Sequence, residues 1–299
     1  MSRQRNICEN EWLFHNTATV SNEFTSLPEI PLSRGDDLHG LEYMDSADLA
    51  LFMAGNQFMV MDELLNLFQQ GYPEIKNIFY ETLPPGLELK QILAGSARFG
   101  EKEIRIMPDV YTAVTEDAMK ELFRRGYVGD YFVYLHNRIV LMVAEGNPAG
   151  IKTVRDLGRD DVKISQPGSM EDITLYITEM YRSAGGDELV RKIMDDKRAE
   201  GTTILTIVHH RETPLRMRKG TVDVGPVWAT EVRNARDMGL KVEAVEPGED
   251  LDQRDKVNYY IAKLKNAPHP ENAEKFLNFM KTRRAQEIYR RCGFVPHFV

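Results

Sequence analysis

The sequence predicts an α/β chain of two lobes, each a mostly parallel sheet flanked by helices, joined by two crossover strands. Three observations predict it. Residues 48–126 alternate short apolar runs with helix-period segments, a β-α-β-α-β-α order that calls for a parallel sheet with covering helices. Arg138-Ile-Val-Leu-Met-Val-Ala144 is a continuous apolar run, as in a strand buried on both faces, and Gly146-Asn147-Pro148 turns the chain after it. A second run, Val257-Asn-Tyr-Tyr-Ile-Ala262, follows much later. Taken as neighbouring crossovers, the two runs assign 47–143 and 257–299 to one lobe and 144–256 to the other. Residues 1–46 are left as an N-terminal extension. At 299 residues the chain has room for two domains.

The elements follow in order. The extension is polar, and Pro28, Pro31, Arg34-Gly-Asp-Asp37 and Gly40 mark it as loop, either wrapped on the first lobe or partly disordered. Asp48–Met53 is a strand stopped by Ala54-Gly-Asn56. Phe58 to Tyr72 has helical spacing at Met59, Leu64, Leu65 and Phe68, ended by Gly71. Ile75–Tyr80 is a strand, Leu87–Ala94 a helix, Ile104–Tyr111 a third strand, and Thr115–Gly126 a helix opened by acids that suit its dipole. In the second lobe, strands are expected at 162–165, 202–208, 222–228 and 240–245. Helices are expected at 173–183, 187–197, 212–220 and 229–238. Two more, 268–280 and 283–291, close the chain.

Composition excludes several classes. A net charge of −8 gives no nucleic-acid footprint. No window approaches the roughly 18 apolar residues of a membrane helix. Met1-Ser-Arg-Gln-Arg-Asn-Ile-Cys-Glu-Asn10 has no apolar core for export, so either a leader has been removed or the protein stays in the cytoplasm. Cys8 and Cys292 stand near opposite ends, either free or bridged, and make a poor metal motif. No Gly-x-Ser-x-Gly elbow, His-Glu-x-x-His or phosphate-loop motif occurs, so no enzyme is expected.

Val257–Pro296 resembles the C-terminal end of type II periplasmic solute-binding proteins. The residues that carry the resemblance are Asn266–Ala273, Phe276–Met280, Ala285–Ile288 and Gly293-Phe294. Lys219–Trp228 is similar to that family's Gly-x-x-Asp-x-Gly strand, and Gly146-Asn147-Pro148 also fits. The nearest branch is the molybdate/tungstate-binding proteins of ABC importers. The resemblance implies a monomeric periplasmic receptor that hands a small anion to a membrane permease, without cofactor or metal. A cytoplasmic sensor or regulatory subunit on the same fold is the alternative.

In open α/β sheets ligands sit beyond the carboxyl ends of strands, where helix starts offer free N–H groups to anions. Asn56 and Gln57, Thr82, and Tyr111 follow the first three strands; each is either a ligand contact or an ordinary cap, turn or packing residue. Ser169 and Met170 lie in a loop where Gly168 permits close approach. Arg211 offers a fork for an oxyanion, or else pairs on the surface with Glu212. Trp228 walls the cleft or sits in core. His209 and His210, adjacent on a strand, face opposite ways and are not expected to share an ion.

Overall fold

The computed structural model describes residues 26–298. Residues 1–25 of the extension, and Cys8 with them, lie outside the described residues. Three short runs become the fully buried strands of the first sheet: β3 (Leu49–Phe52), β4 (Ile78–Glu81) and β7 (Val110–Ala113). Beside β7 lies the more mixed β14 (Asn258–Lys263), which is only partly buried. With β2 (Leu38–His39), β8 (Phe132–His136) and β15 (Val295–Pro296) they make a seven-stranded sheet, ordered β15-β8-β14-β7-β3-β4-β2. Only β4–β3–β7 run parallel; the remaining pairings are antiparallel. A small sheet beside it joins β1 (Glu29–Ile30), β5 (Ala97–Phe99) and β6 (Lys102–Ile104).

The second lobe is a five-stranded sheet. It contains β9 (Ile139–Ala144), β10 (Ile164–Pro167), β11 (Thr203–Thr206), β12 (Val224–Trp228) and β13 (Val242–Val245), in the order β11-β10-β12-β9-β13. Here β11, β10 and β12 are parallel, and β9 is antiparallel to both its neighbours. The apolar run at 139–143 lies in the interior of the second sheet, and the chain passes from the first sheet to the second at Asn137-Arg138. It returns between Val245 and Asn258.

Helices cover both sheets. In the first lobe they are α1 (Phe58–Gly71), α2 (Pro85–Ala94) and α3 (Glu116–Arg124). The second lobe has α4 (Ile173–Arg191), α5 (His209–Arg218) and α6 (Ala229–Asp237). The chain then returns to the first lobe with α7 (Pro270–Met280) and α8 (Arg283–Arg291). α1 buries Val60, Met61, Leu64, Leu65 and Phe68, one helical stripe, against the sheet. The two helices expected at 173–183 and 187–197 are separated at Gly185-Gly186, where the backbone leaves helical geometry and Gly186 takes φ 69°, and the second continues into a π-helical turn at Lys192–Asp196. The run expected as one strand at 104–111 is two elements: Ile104 ends a hairpin, and the core strand begins only at Val110, past Pro108. No helix among the described residues is long and apolar enough to cross a membrane.

Residues 26–46 are sewn to the first lobe. β1 pairs with β5, β2 with β4, and Thr82 N donates to Asp37 O at 2.9 Å. Between β1 and β2 lies a strap of 3₁₀ turns, Leu32–Asp37.

Candidate functional site

The carboxyl ends of six parallel strands converge on the seam between the lobes. β3, β4 and β7 end there from one side, β10, β11 and β12 from the other. Contacts across the seam fix the facing. Tyr176 Oη, on α4, donates to Val114 O at 2.5 Å. The ring of Phe58, at the start of α1, stacks on His210 of α5 with centroids 4.5 Å apart. A Cβ added at Gly86 would stand 3.8 Å from Asp172 Oδ1. Gly168, between β10 and α4, admits no side chain, because its Cβ would lie 2.5 Å from Thr206 O.

The residues expected to touch ligand scatter over four environments. Gln57 and Tyr111 belong to the interior of the first lobe. Gln57 Oε1 accepts from Tyr134 and Tyr289 at 2.7 Å each, and its Nε2 donates to Thr112 at 3.1 Å. Tyr111 Oη donates to Pro85 O at 2.8 Å. Asn56 and Trp228 sit at the seam itself. Asn56 Nδ2 donates to Tyr259 Oη, which also receives Asn137 Nδ2 at 3.3 Å. Trp228 is buried between Tyr176 and Tyr259, 5.9 and 6.3 Å away. Thr82 is fully buried with its hydroxyl unpartnered. Ser169 and Met170 are exposed.

Arg211 stands on the rim, its side chain 27% exposed, and bonds the strap rather than a ligand. Its guanidinium reaches the Asp37 carboxylate and lies 3.6 Å from Asp36. Glu212 pairs with Arg216 at 2.8 Å, not with Arg211. The two histidines open helix α5 and do not lie on a strand, because the β-branched run ends at Thr206.

Sequence reasoning missed the groups that dominate the seam. Arg34, from the strap, is fully buried and bonds Asp37, Glu171 and the carbonyl of Ile207, the last at 2.6 Å. Glu171 also lies 3.3 Å from His209 Nδ1, and His209 Nε2 is 2.7 Å from Glu231. Burial alone would strip His209 of its proton. The two carboxylates reverse this and raise its pKa to about 10. Burial would likewise raise Glu171, but His209 and Arg34 outweigh it and hold it at about 2. Arg34, Glu171, His209 and Glu231 thus form one buried ionic chain, with Arg34 contributed by the strap and the others by the second lobe.

Beside this chain sit buried acids with no cation of their own. Glu81 Oε1, Glu88 Oε2 and Asp172 Oδ2 lack hydrogen-bond partners, as do Gln91 Oε1 and both nitrogens of His210. Burial pushes Glu81 and Glu88 well above the usual carboxylate range. Burial, helped by Glu171, pushes Asp172 up to about 7. His210 is driven well below its ordinary value by burial and by the charge on His209.

The backbone donors that an anion would use are partly spent. Glu212 caps the N–H groups of Ile207 and Val208 at 2.6 and 2.7 Å, and Glu88 takes that of Leu83 at 3.2 Å. Thr112 Oγ1 takes that of Ala54 at 2.7 Å. The unsatisfied atoms at the seam include acid and amide oxygens as well as nitrogens of Arg34, His209 and His210.

Known proteins share this architecture. The periplasmic molybdate-binding protein of Azotobacter vinelandii superposes with a TM-score of 0.64 at 17% identity, over 83% of this chain and 98% of that one. Iron-bound HitA from Pseudomonas aeruginosa does so at 0.65 and 15%, over 83% and 85%. These similarities establish the shared two-lobe fold. In sequence, the ABC transporter substrate-binding lipoprotein YvgL of Bacillus subtilis (strain 168) is 21% identical over 194 residues. That match takes in 62% of this chain and 66% of YvgL, so the chain spans just under two thirds of this relative. The model of one family matches residues 49–295, from β3 to the last strand and so across both lobes: the chain belongs to the bacterial extracellular solute-binding proteins.

Proposed function

We propose that this chain is the extracytoplasmic solute receptor of an ABC importer, closing its lobes on a small solute and delivering it to a membrane permease. The observation that carries this reading is the meeting of six strand ends, three from each sheet, at a seam lined with unsatisfied buried polar groups. The description of YvgL supports the transport role. The unpartnered acid oxygens support a solute that donates hydrogen bonds, or a cation that displaces their protons. Glu81, Glu88 and Asp172 have no cation beside them, and burial favours their neutral form, while Glu171 and Asp37 are already paired with Arg34, Arg211 and protonated His209. A small oxyanion such as molybdate or tungstate is the second reading. It is favoured by the unpartnered Nε of Arg34 and by the bare nitrogens of His210.

A thermal-shift and calorimetric panel separates the two. It would contain alkylammonium and guanidinium compounds, polyols, divalent cations, molybdate, tungstate and sulfate. A ligand at a hundredfold excess over its Kd adds about 2.7 kcal/mol of stability, easily read as a raised midpoint. A cationic ligand should bind with proton release from Asp172, Glu81 and Glu88, measured by repeating the titration in buffers of different ionisation enthalpy. An oxyanion bound without proton release, with cations silent, moves the assignment to the second reading. No saturable binding by any member removes the proposal.

Asp172 makes a prediction that needs no ligand. Its folded pKa of about 7 lies above the ordinary 3.8. The folded state therefore holds the proton more tightly, and stability is lost as pH rises through about 7. From pH 8 down to pH 6 the protein should gain about 1 kcal/mol from this one group, read as a shift in the urea midpoint. Asp172→Asn should flatten that slope. An unaltered slope in the variant assigns the titration elsewhere.

A further inference from the structure

We propose that the strap Leu32–Asp37 is a latch that holds the lobes together in cis, with the Arg34 guanidinium seated in a slot of the second lobe. The strap's attachments divide sharply by type. Toward the first lobe they are backbone pairings on both flanks: β1 with β5, β2 with β4, and Thr82 N with Asp37 O. Toward the second lobe they are side-chain bonds and ion pairs. Arg34 reaches Glu171 and the Ile207 carbonyl, while Asp37, Asp36 and Ser33 O receive Arg211. Opening the lobes would break only the second set and carry the strap away with the first lobe. Each lobe contributes one arginine to the other side's acid, so the contact is reciprocal.

The Arg34 side chain fills a place shaped for a planar fork. Its Nη2 donates to both Glu171 and the Ile207 carbonyl, and its Nη1 donates to Asp37 of the strap. The strap precedes residues 49–295, the part matched by the family model, while the slot that receives Arg34 lies within it. A solute entering the seam has to do so while the latch is withdrawn, which makes the strap a gate on association.

The inference rests on the lobe-closing reading, and the test keeps the two apart by using conformation without a solute. Spin labels are placed at Lys120→Cys and Glu179→Cys, which face one interlobe groove, in a chain carrying Cys8→Ser and Cys292→Ser. Double electron–electron resonance should give one narrow short distance in this background. Adding Arg34→Ala should raise the open-to-closed ratio about tenfold or more, as for loss of a buried charge-assisted hydrogen bond. Millimolar methylguanidinium should narrow the Arg34→Ala distribution again and leave the parent unchanged. Arg211→Gln, a rim change that spares the buried slot, should open the seam to a lesser degree and serves if Arg34→Ala does not fold. Distributions matching the parent in every variant that folds overturn the latch, even if the solute panel finds a ligand. Broadening that methylguanidinium does not reverse overturns the guanidinium slot.

Discussion

Gln57→Leu is expected to lower the stability of the chain by roughly 2–5 kcal/mol while leaving solute affinity nearly unchanged. Gln57 was a natural ligand candidate by position, one residue before a helix and just past a strand end. Its amide is instead the shared partner of three elements. Its oxygen accepts from Tyr134 on β8 and Tyr289 on α8, and its nitrogen donates to Thr112 on β7. All four side chains are fully buried. Leucine fills similar space but leaves two phenolic hydroxyls without an acceptor, each costing about 1–3 kcal/mol. Urea titration should give a lower midpoint at constant slope, the mark of lost stability without a changed unfolded state. Adding Tyr134→Phe and Tyr289→Phe to Gln57→Leu should recover most of the loss, because removing both partners of a buried bond is far cheaper than removing one. A single variant as stable as the parent would return Gln57 to the seam.

That reassignment shows what the sequence could carry. The α/β order, the helix at 58–71 and the strands at 49–52 and 224–228 were legible from period and punctuation alone. Two features misled. The apolar run at 139–143 has the pattern of a strand buried on both faces, and it is one, but hydrophobicity cannot say which sheet owns it. β8, Phe-Val-Tyr-Leu-His, is hard to read from the sequence because Tyr134 and His136 break its apolar run; the tyrosine is polar only at its tip, which Gln57 satisfies.

At the seam the sequence marks the loops but not the direction of the side chains within them. A loop position does not reveal side-chain direction: Gln57 and Tyr111 point into the lobe, and Ser169 lies exposed. Glu171 and Asp172 looked like ordinary dipole-favoured acids at a helix start. Arg34, which pairs with Glu171, is 137 residues away, in a segment marked only as loop. Long-range ion pairs leave no local trace. The strongest available hint was an acid or histidine immediately after an apolar run: Glu81 after Tyr80 and His209 after Val208.

His209→Leu should be the most damaging change in the second lobe, costing about 3–5 kcal/mol at pH 7. His209 is buried between Glu171 and Glu231, 3.3 and 2.7 Å away, and its raised pKa of about 10 means it carries a proton there. Removing that cation leaves two buried carboxylates with Arg34 alone, and Arg34 reaches only Glu171. The signs can be checked. His209 has its folded pKa above its ordinary 6.5, so its contribution is complete below pH 6.5 and lost as pH rises through about 10. Glu171 has its folded pKa below its ordinary 4.5, so its contribution is complete above pH 4.5 and lost as pH falls through about 2. Between those limits the parent chain should show little pH dependence from this pair. The leucine variant loses that plateau. Glu231, already raised by burial, would have to take up a proton to stay folded, so the variant should be relatively more stable at pH 5 than at pH 8. Glu231→Gln should cost less than His209→Leu, since glutamine can still accept from the imidazolium. Chemical denaturation at pH 5, 7 and 8 reads all three claims. A loss below about 1 kcal/mol at pH 7, or a leucine variant with the parent's pH profile, would mean that His209 is neutral in the folded chain and that the buried ionic chain does not exist as drawn.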